Sequence, residues 1–201
     1  MAKSSTRAET KQKTREALVD AATRLFAERG FDAPSLDDIC ERAGFTRGAF
    51  YVHFRDRDDL ITAVMQRVGR AFLDALLGAE GDDLGVIAAR FAAAVASGAY
   101  PLTRKGGIRP HQLLDACARS PAIKKQYVSL VRETMTRLGR AAARAQTDGA
   151  LRDDISADAI GFMLVTYAIG IHTLLDLDVP VDLAASAKIT MKVFGSPKRR
   201  S

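Results

Sequence analysis

Apolar residues recur along this chain at spacings of three and four, and strict alternation persists nowhere. Between Thr10 and Arg29, the residues Leu18, Ala22, Leu25 and Phe26 fall on one helical face, and Gly30 supplies a stop. The stretch "FDAPS" reads as a turn. Ser35 then caps a second helix with Asp38 as its capping-box partner, and Leu36, Ile39, Cys40 and Ala43 form a buried stripe that ends at Gly44. Thr46 caps a very short helix over about 46–53, and Asp56 caps the next, with Asp58 and Asp59 where the helix dipole favours anions. These elements predict a helix-turn-helix. Further helices are predicted over about 57–77, 83–97, 110–119, 122–147, 156–176 and 182–194, separated by segments such as "GAEGDD", "SGAYPLTRKGGIRP" and "DVPVD". The expected fold class is all-α: a three-helix N-terminal helix-turn-helix domain over 1–56, continuous with a larger helical domain over 57–201.

Composition agrees with helices. Hydrophobic residues make up 47% and aromatic residues 6% of the 201, with no Trp, which favours helix over sheet. Cys40 and Cys117 fall inside apolar patterns, as expected of a reduced, cytoplasmic protein whose thiols act as small buried hydrophobes. The basic, polar N-terminus has no apolar core of a secretory signal. The longest uncharged run, Ala159 to Leu175, falls short of the ~20 residues a membrane span requires. It also carries Thr166, Tyr167 and His172, so a buried helix is expected.

Charge matters by its distribution more than by its net value of +6. Lys3, Arg7, Lys11, Lys13 and Arg15 stand against Glu9 alone, which predicts a flexible basic arm, either a nucleic-acid contact or a solvated tail. His53, His111 and His172 are isolated, and no GxSxG, HExxH or CxxC occurs. The paired acids lie at or just before helix starts, where capping explains them. No catalytic residue, metal site or cofactor is expected.

The informative stretch is "GFTRGAFYVHFRDRDDL", residues 44–60. The first turn after Thr46 holds Arg47, Gly48 and Ala49, one cation and two small residues with no acid. Such a surface suits close approach to a phosphate or a base edge. Arg47 and Tyr51 share one helical face, while Phe50 and Phe54 share another that anchors the helix. Arginine is the commonest specific reader of guanine, and Tyr and His supply phosphate hydrogen bonds and contacts to thymine methyls. The plainer alternative is a surface helix whose Arg and Tyr are incidental.

Over residues 17–64, "ALVDAATRLFAERGFDAPSLDDICERAGFTRGAFYVHFRDRDDLITAV", the chain resembles the N-terminal domain of the TetR/AcrR family of bacterial transcriptional regulators. The resemblance implies a ligand-responsive repressor. It would bind an inverted-repeat DNA operator as a homodimer and be released by a small-molecule effector. Carried over by position, Ser35 and Thr46 would contact phosphates. Arg47, Gly48, Ala49 and Tyr51 would approach bases or adjoining backbone, and His53 and Arg57 would hold the flanking phosphate. Val52 departs from the aromatic or polar residue that many members carry, and Arg57 from the frequent Lys.

For the body, the resemblance implies an effector-binding and dimerisation domain. Candidate lining residues for an apolar or aromatic effector are Phe72, Phe91, Tyr100, His111, Leu114, Cys117, Tyr127, Met135 and Phe162, each of which ordinary core packing would also explain. The "RKGGIR" stretch reads as a weak phosphate-loop signal or as a flap over the pocket, and Arg132, Arg137, Arg140 and Arg144 as a solvated face. A helix over 158–176 would be apolar on nearly all sides and so buried on nearly all sides. Gly161, Ala168 and Gly170 suggest close packing there. With Leu183, Ala187, Ile189, Thr190 and Val193 of the last helix, this predicts a dimer interface within about 156–194. The competing reading is a constitutive DNA binder whose body serves only dimerisation or recruits another protein.

Overall fold

A computed structural model describes residues 6–78, 83–97 and 110–195. Among these the chain forms nine helices: α1 (Arg7–Arg29), α2 (Leu36–Ala43), α3 (Arg47–Tyr51), α4 (Arg57–Leu77), α5 (Leu84–Ala96), α6 (Pro110–Arg119), α7 (Pro121–Thr147), α8 (Ala157–Asp176) and α9 (Leu183–Phe194). The one β-type pairing among the described residues is an isolated bridge between Leu151 and Gly195. Tyr100, the "RKGGIR" stretch and Lys3 lie outside the described residues.

Local chemistry sets the helix starts. The Thr6 hydroxyl accepts from the Glu9 N–H at 3.2 Å, and the Glu9 carboxylate accepts from the Thr6 N–H at 2.9 Å. This capping box starts α1 at Arg7, three residues before the expected Thr10. The flexible arm is corrected accordingly: Arg7, Lys11, Lys13 and Arg15 are helical. Ser35 and Asp38 form the same box at α2, with bonds of 3.1 and 2.7 Å. Gly44 closes α2 at φ 75°, and Phe45 N–H returns to the Cys40 carbonyl at 2.9 Å, so the turn into α3 needs its glycine. Pro110 and Pro121 open α6 and α7, where a missing N–H costs nothing.

The chain divides into two compact units, Met1–Gly69 with Pro101–Tyr127, and Arg70–Tyr100 with Val128–Ser201. The division falls inside α4, not at 56/57. Leu60, Ile61, Val64 and Met65 are buried in the first core with Leu18, Phe26 and Phe50, and Ala116, Cys117 and Ile123 join them from α6 and α7. The second unit holds two smaller clusters. Leu73, Leu77, Ile87, Leu138 and Val165 form one, and Ala142, Leu151 and Ile160 the other.

In the second unit α7 and α8 meet at glycine. A Cβ on Gly161 would stand 2.7 Å from the Gly139 nitrogen and 2.8 Å from the Met135 carbonyl oxygen. Both are backbone atoms. Gly161 is therefore spent on an intrachain crossing, while Gly170 has nothing within 4 Å of its Cβ position. The expectation that both glycines serve the same interface is corrected for Gly161. Within the single chain α8 is buried on one side only: Ile160, Gly161, Val165 and Ile171 are buried, whereas Phe162, Met163, Tyr167, Ile169 and Leu174, on the side expected to need a partner, are exposed.

Candidate nucleic-acid interface and effector region

Phe50 is fully buried and fixes how α3 is presented. Its ring lies 5.4 Å from Phe54 and meets Tyr51 edge-on at 5.2 Å. With that side pinned into the first core, Thr46, Arg47, Gly48, Tyr51 and Val52 face solvent. Tyr51 is 55% and Val52 63% exposed, unusual for large side chains beside a core this tight.

Each sequence-predicted position has a definite place. Ser35 and Thr46 are exposed N-caps, and the Thr46 hydroxyl accepts from Ala49 N–H at 3.3 Å. Arg47 Nε lies 3.5 Å from Asp37 Oδ1. Its charge is supported first by a hydrogen bond with Tyr51 and then by Asp37. Both partners of the ion pair are exposed, and exposed pairs contribute little, so exchanging Asp37 for a DNA group costs little. Gly48 is a helical glycine without an internal reason. A Cβ there would meet only Thr46 Oγ1, at an unstrained 3.7 Å. Glycine in a helix costs roughly 0.5–1 kcal/mol against alanine, so the bare backbone suits something outside the chain.

His53 is half-buried beside this surface. Burial, then the charges of Lys11 and Arg15, hold its pKa below the ordinary histidine value, so it is neutral at neutral pH. The Arg15 guanidinium sits 5.1 Å over the Phe54 ring. Lys11 and Arg15 thus form a basic edge beside the neutral His53, a grouping that the sequence did not reveal. The available signal was the four-residue spacing of Lys11 and Arg15 within a helix.

Arg57, expected at a flanking phosphate, is engaged within the first unit. Its guanidinium donates to the Phe31 carbonyl, and to the Pro34 carbonyl at 3.1 Å, and lies 5.6 Å over the Phe26 ring. The α1–α2 turn leaves these carbonyls without helical partners, and one guanidinium nitrogen, Nη2, donates to both. Arg57 is a staple turned into the first unit.

The expected effector-lining residues part company. Phe72, Phe91 and Met135 pack on one cluster of the second unit. His172, absent from the expected set, meets Phe91 edge-on at 5.9 Å, and burial lowers its pKa to about 4. Phe162 is 51% exposed and lines no interior. In the first unit, Cys117 and Tyr127 belong to the core, Leu114 is exposed, and His111 is exposed near the start of α6. Burial, and for Cys40 also Asp37, raises both cysteine thiols, so neither is poised as a reactive thiolate. Among the described residues no three His, Cys, Asp or Glu converge as a metal site.

Comparison with known proteins bears on this geometry. Residues 18–64 match the family of bacterial regulatory proteins described as the tetR family. Over 80 residues the chain is 38% identical to the HTH-type transcriptional regulator AcrR of Shigella flexneri, a match spanning 38% of this chain and 37% of AcrR. The chain thus spans little more than a third of that relative's length. Solved structures extend the likeness over nearly the whole chain. Reduced NemR of E. coli superposes with a TM-score of 0.74 at 18% identity, covering 92% of this chain and 98% of NemR. The SmeT–triclosan complex gives 0.68 at 24% identity, covering 94% of each chain. SmeT is the repressor of the Stenotrophomonas maltophilia multidrug efflux pump SmeDEF. At these identities the structural likeness establishes the fold.

Proposed function

Taking as premise that residues 18–64 form a DNA-binding domain of the TetR family, we propose that the chain is a ligand-responsive transcriptional repressor acting in the cytoplasm. Arg47, Gly48, Ala49, Tyr51 and Val52 enter the major groove, with Arg47 on a base edge and Val52 against a thymine methyl. Ser35, Thr46, His53, Lys11 and Arg15 hold the flanking phosphates. The single observation that carries this reading is Gly48, a helix glycine that no internal contact requires, beside an exposed Arg47 and Tyr51.

Homodimerisation through α8 and α9 fits the same reading. Phe162, Met163, Tyr167 and Ile169 of α8, with Ile189 and Val193 of α9, expose large apolar surface that a second copy would cover. An apolar or aromatic effector is proposed at Phe72, Phe91, Met135 and His172. It loosens DNA binding, and DNA weakens its binding by the same factor.

The test is selection of bound fragments from a random pool of double-stranded DNA with the purified full chain. An enriched inverted repeat, its half-sites one helical turn or a multiple apart, is the expected result. Enrichment of no common sequence would overturn sequence reading by α3, and an unpaired half-site would overturn the dimer.

A further inference from the structure

A carboxylate stands beside the residues proposed to face DNA. Asp37, in the first turn of α2, places Oδ1 3.5 Å from Nε of Arg47 on α3. A polyanion repels a carboxylate, so this position calls for a reason. Capping does not supply one, because Ser35 and Asp38 close the box at the start of α2. The helix dipole favours an acid in this turn, and Asp38 already meets that preference. Core packing does not supply one either, since the Asp37 side chain is 69% exposed.

The backbone sets Asp37 against Arg47. Gly44 closes α2, Phe45 N–H bonds back to the Cys40 carbonyl at 2.9 Å, and the buried Phe50 pins α3. Arg47 is held at two points, by Asp37 at Nε and by a hydrogen bond with Tyr51, one turn further along α3. A guanidinium carries five N–H donors in a planar fork, so a hold at Nε leaves the Nη end able to meet two acceptors. In the free protein this exposed pair adds little to stability. Against DNA, where water is excluded, the same pair is stronger. An arginine already held also surrenders less side-chain freedom on docking. Releasing Asp37 costs little, yet reading a base with the Nη end does not require it.

We propose that Asp37 is a specificity-determining positioning residue, which holds Arg47 at Nε so that its Nη end reads O6 and N7 of a guanine in preference to a phosphate. The role rests on the DNA binding proposed above. Adenine presents an acceptor and a donor where guanine presents two acceptors, so a donor-only fork held in place rejects it. A phosphate attracts a mobile arginine, but the Asp37 carboxylate repels an anion at this point. Asp37 thus acts through Arg47: it lowers affinity for DNA in general and raises preference for one base pair in each half-site.

The experiment uses the full chain as wild type, Asp37→Asn, Arg47→Ala and the double variant. Fragments are selected from random duplex with the wild type, and all four proteins are then measured on the selected repeat, on repeats with each other base at the read position, and on unrelated duplex. The wild type is expected to enrich guanine at one fixed position of each half-site. Asp37→Asn is expected to bind unrelated duplex more tightly while its preference for that guanine falls about tenfold, the scale of one paired base contact. Its circular dichroism should not change, because Asp37 is exposed and outside the capping box. On the Arg47→Ala background, Asp37→Asn should raise affinity for all duplexes alike and leave base preference unaltered, a coupling that a merely structural role would not produce. Should Asp37→Asn not fold, Asp37→Ser carries the same comparison. An Asp37→Asn protein with the wild-type preference, or a selected repeat without a fixed guanine, would overturn the proposal and leave DNA binding intact. So would an equal loss of preference on the Arg47→Ala background, which would make Asp37 a base reader itself. No enriched sequence with the wild type would overturn both the proposal and the function on which it rests.

Discussion

The two compact units differ in how far they cover their large apolar side chains. In the first, Phe26, Phe31 and Phe50 are buried almost completely around α1 to α4, and the exposed residues of α3 ride on that fixed base. In the second, Phe162 is half exposed, and Met163, Tyr167, Ile169, Ile189 and Val193 join it on α8 and α9. The first unit closes its own core and spends its surface on polar contact. The second leaves apolar surface that calls for a further partner.

The sharpest test of that contrast is a pair of truncations. Phe50→Ala removes a fully buried ring and should destabilise the first unit by about 3–5 kcal/mol, enough to abolish DNA binding at physiological temperature. Phe162→Ala should cost well under 1 kcal/mol in a dilute monomer, as surface substitutions do, while weakening self-association. Denaturant titration at two protein concentrations, with light scattering, separates the two. A Phe162→Ala loss comparable to that of Phe50→Ala would erase the contrast.

The two α8 glycines divide the same way within one helix. Gly161→Ala forces a methyl against backbone of α7 and should cost about 1–3 kcal/mol by overpacking. Gly170→Ala meets nothing within 4 Å in the single chain and should stabilise it by roughly 0.5–1 kcal/mol through helix propensity. Thermal unfolding of both variants checks the signs. Destabilisation by Gly170→Ala that grows with protein concentration would locate a packed partner at that point.

A smaller effect belongs to His172. Burial holds its pKa near 4, below its ordinary value of 6.5, so the unfolded chain takes up this proton first. Its contribution to stability is full above about pH 6.5 and is lost as the pH falls towards 4. His172→Gln should therefore unfold with a shallower pH dependence than the wild type across that window. Parallel melting curves would refute the buried neutral imidazole.

What could be read in the sequence follows the range of the interactions. The caps at Ser35 and Thr46, the glycine turn at Gly44 and the Phe50–Phe54 anchor are set within a few residues, and all were legible. The α1 start was missed because the Thr6–Glu9 box lies well ahead of the first buried residue of the helix, Leu18, and carries no core signal. The internal bonds of Arg57 were not legible because its acceptors, Phe31 and Pro34, are more than twenty residues away and are backbone carbonyls, which no side-chain pattern reveals. The scatter of the expected effector residues between the two units was hidden for a related reason. Aromatic type alone does not distinguish Phe91, against His172, from the exposed Phe162.

The central claim is that the exposed face of α3 reads DNA sequence, and Arg47→Ala tests it most directly. Affinity is measured for the selected inverted repeat and for unrelated duplex at several salt concentrations. The account predicts a loss of about 1–3 kcal/mol on the selected site, with relaxed preference at one base pair per half-site and a much smaller loss on unrelated DNA. Equal losses on both duplexes, with a flattened salt dependence, would make Arg47 a phosphate contact and contradict the account.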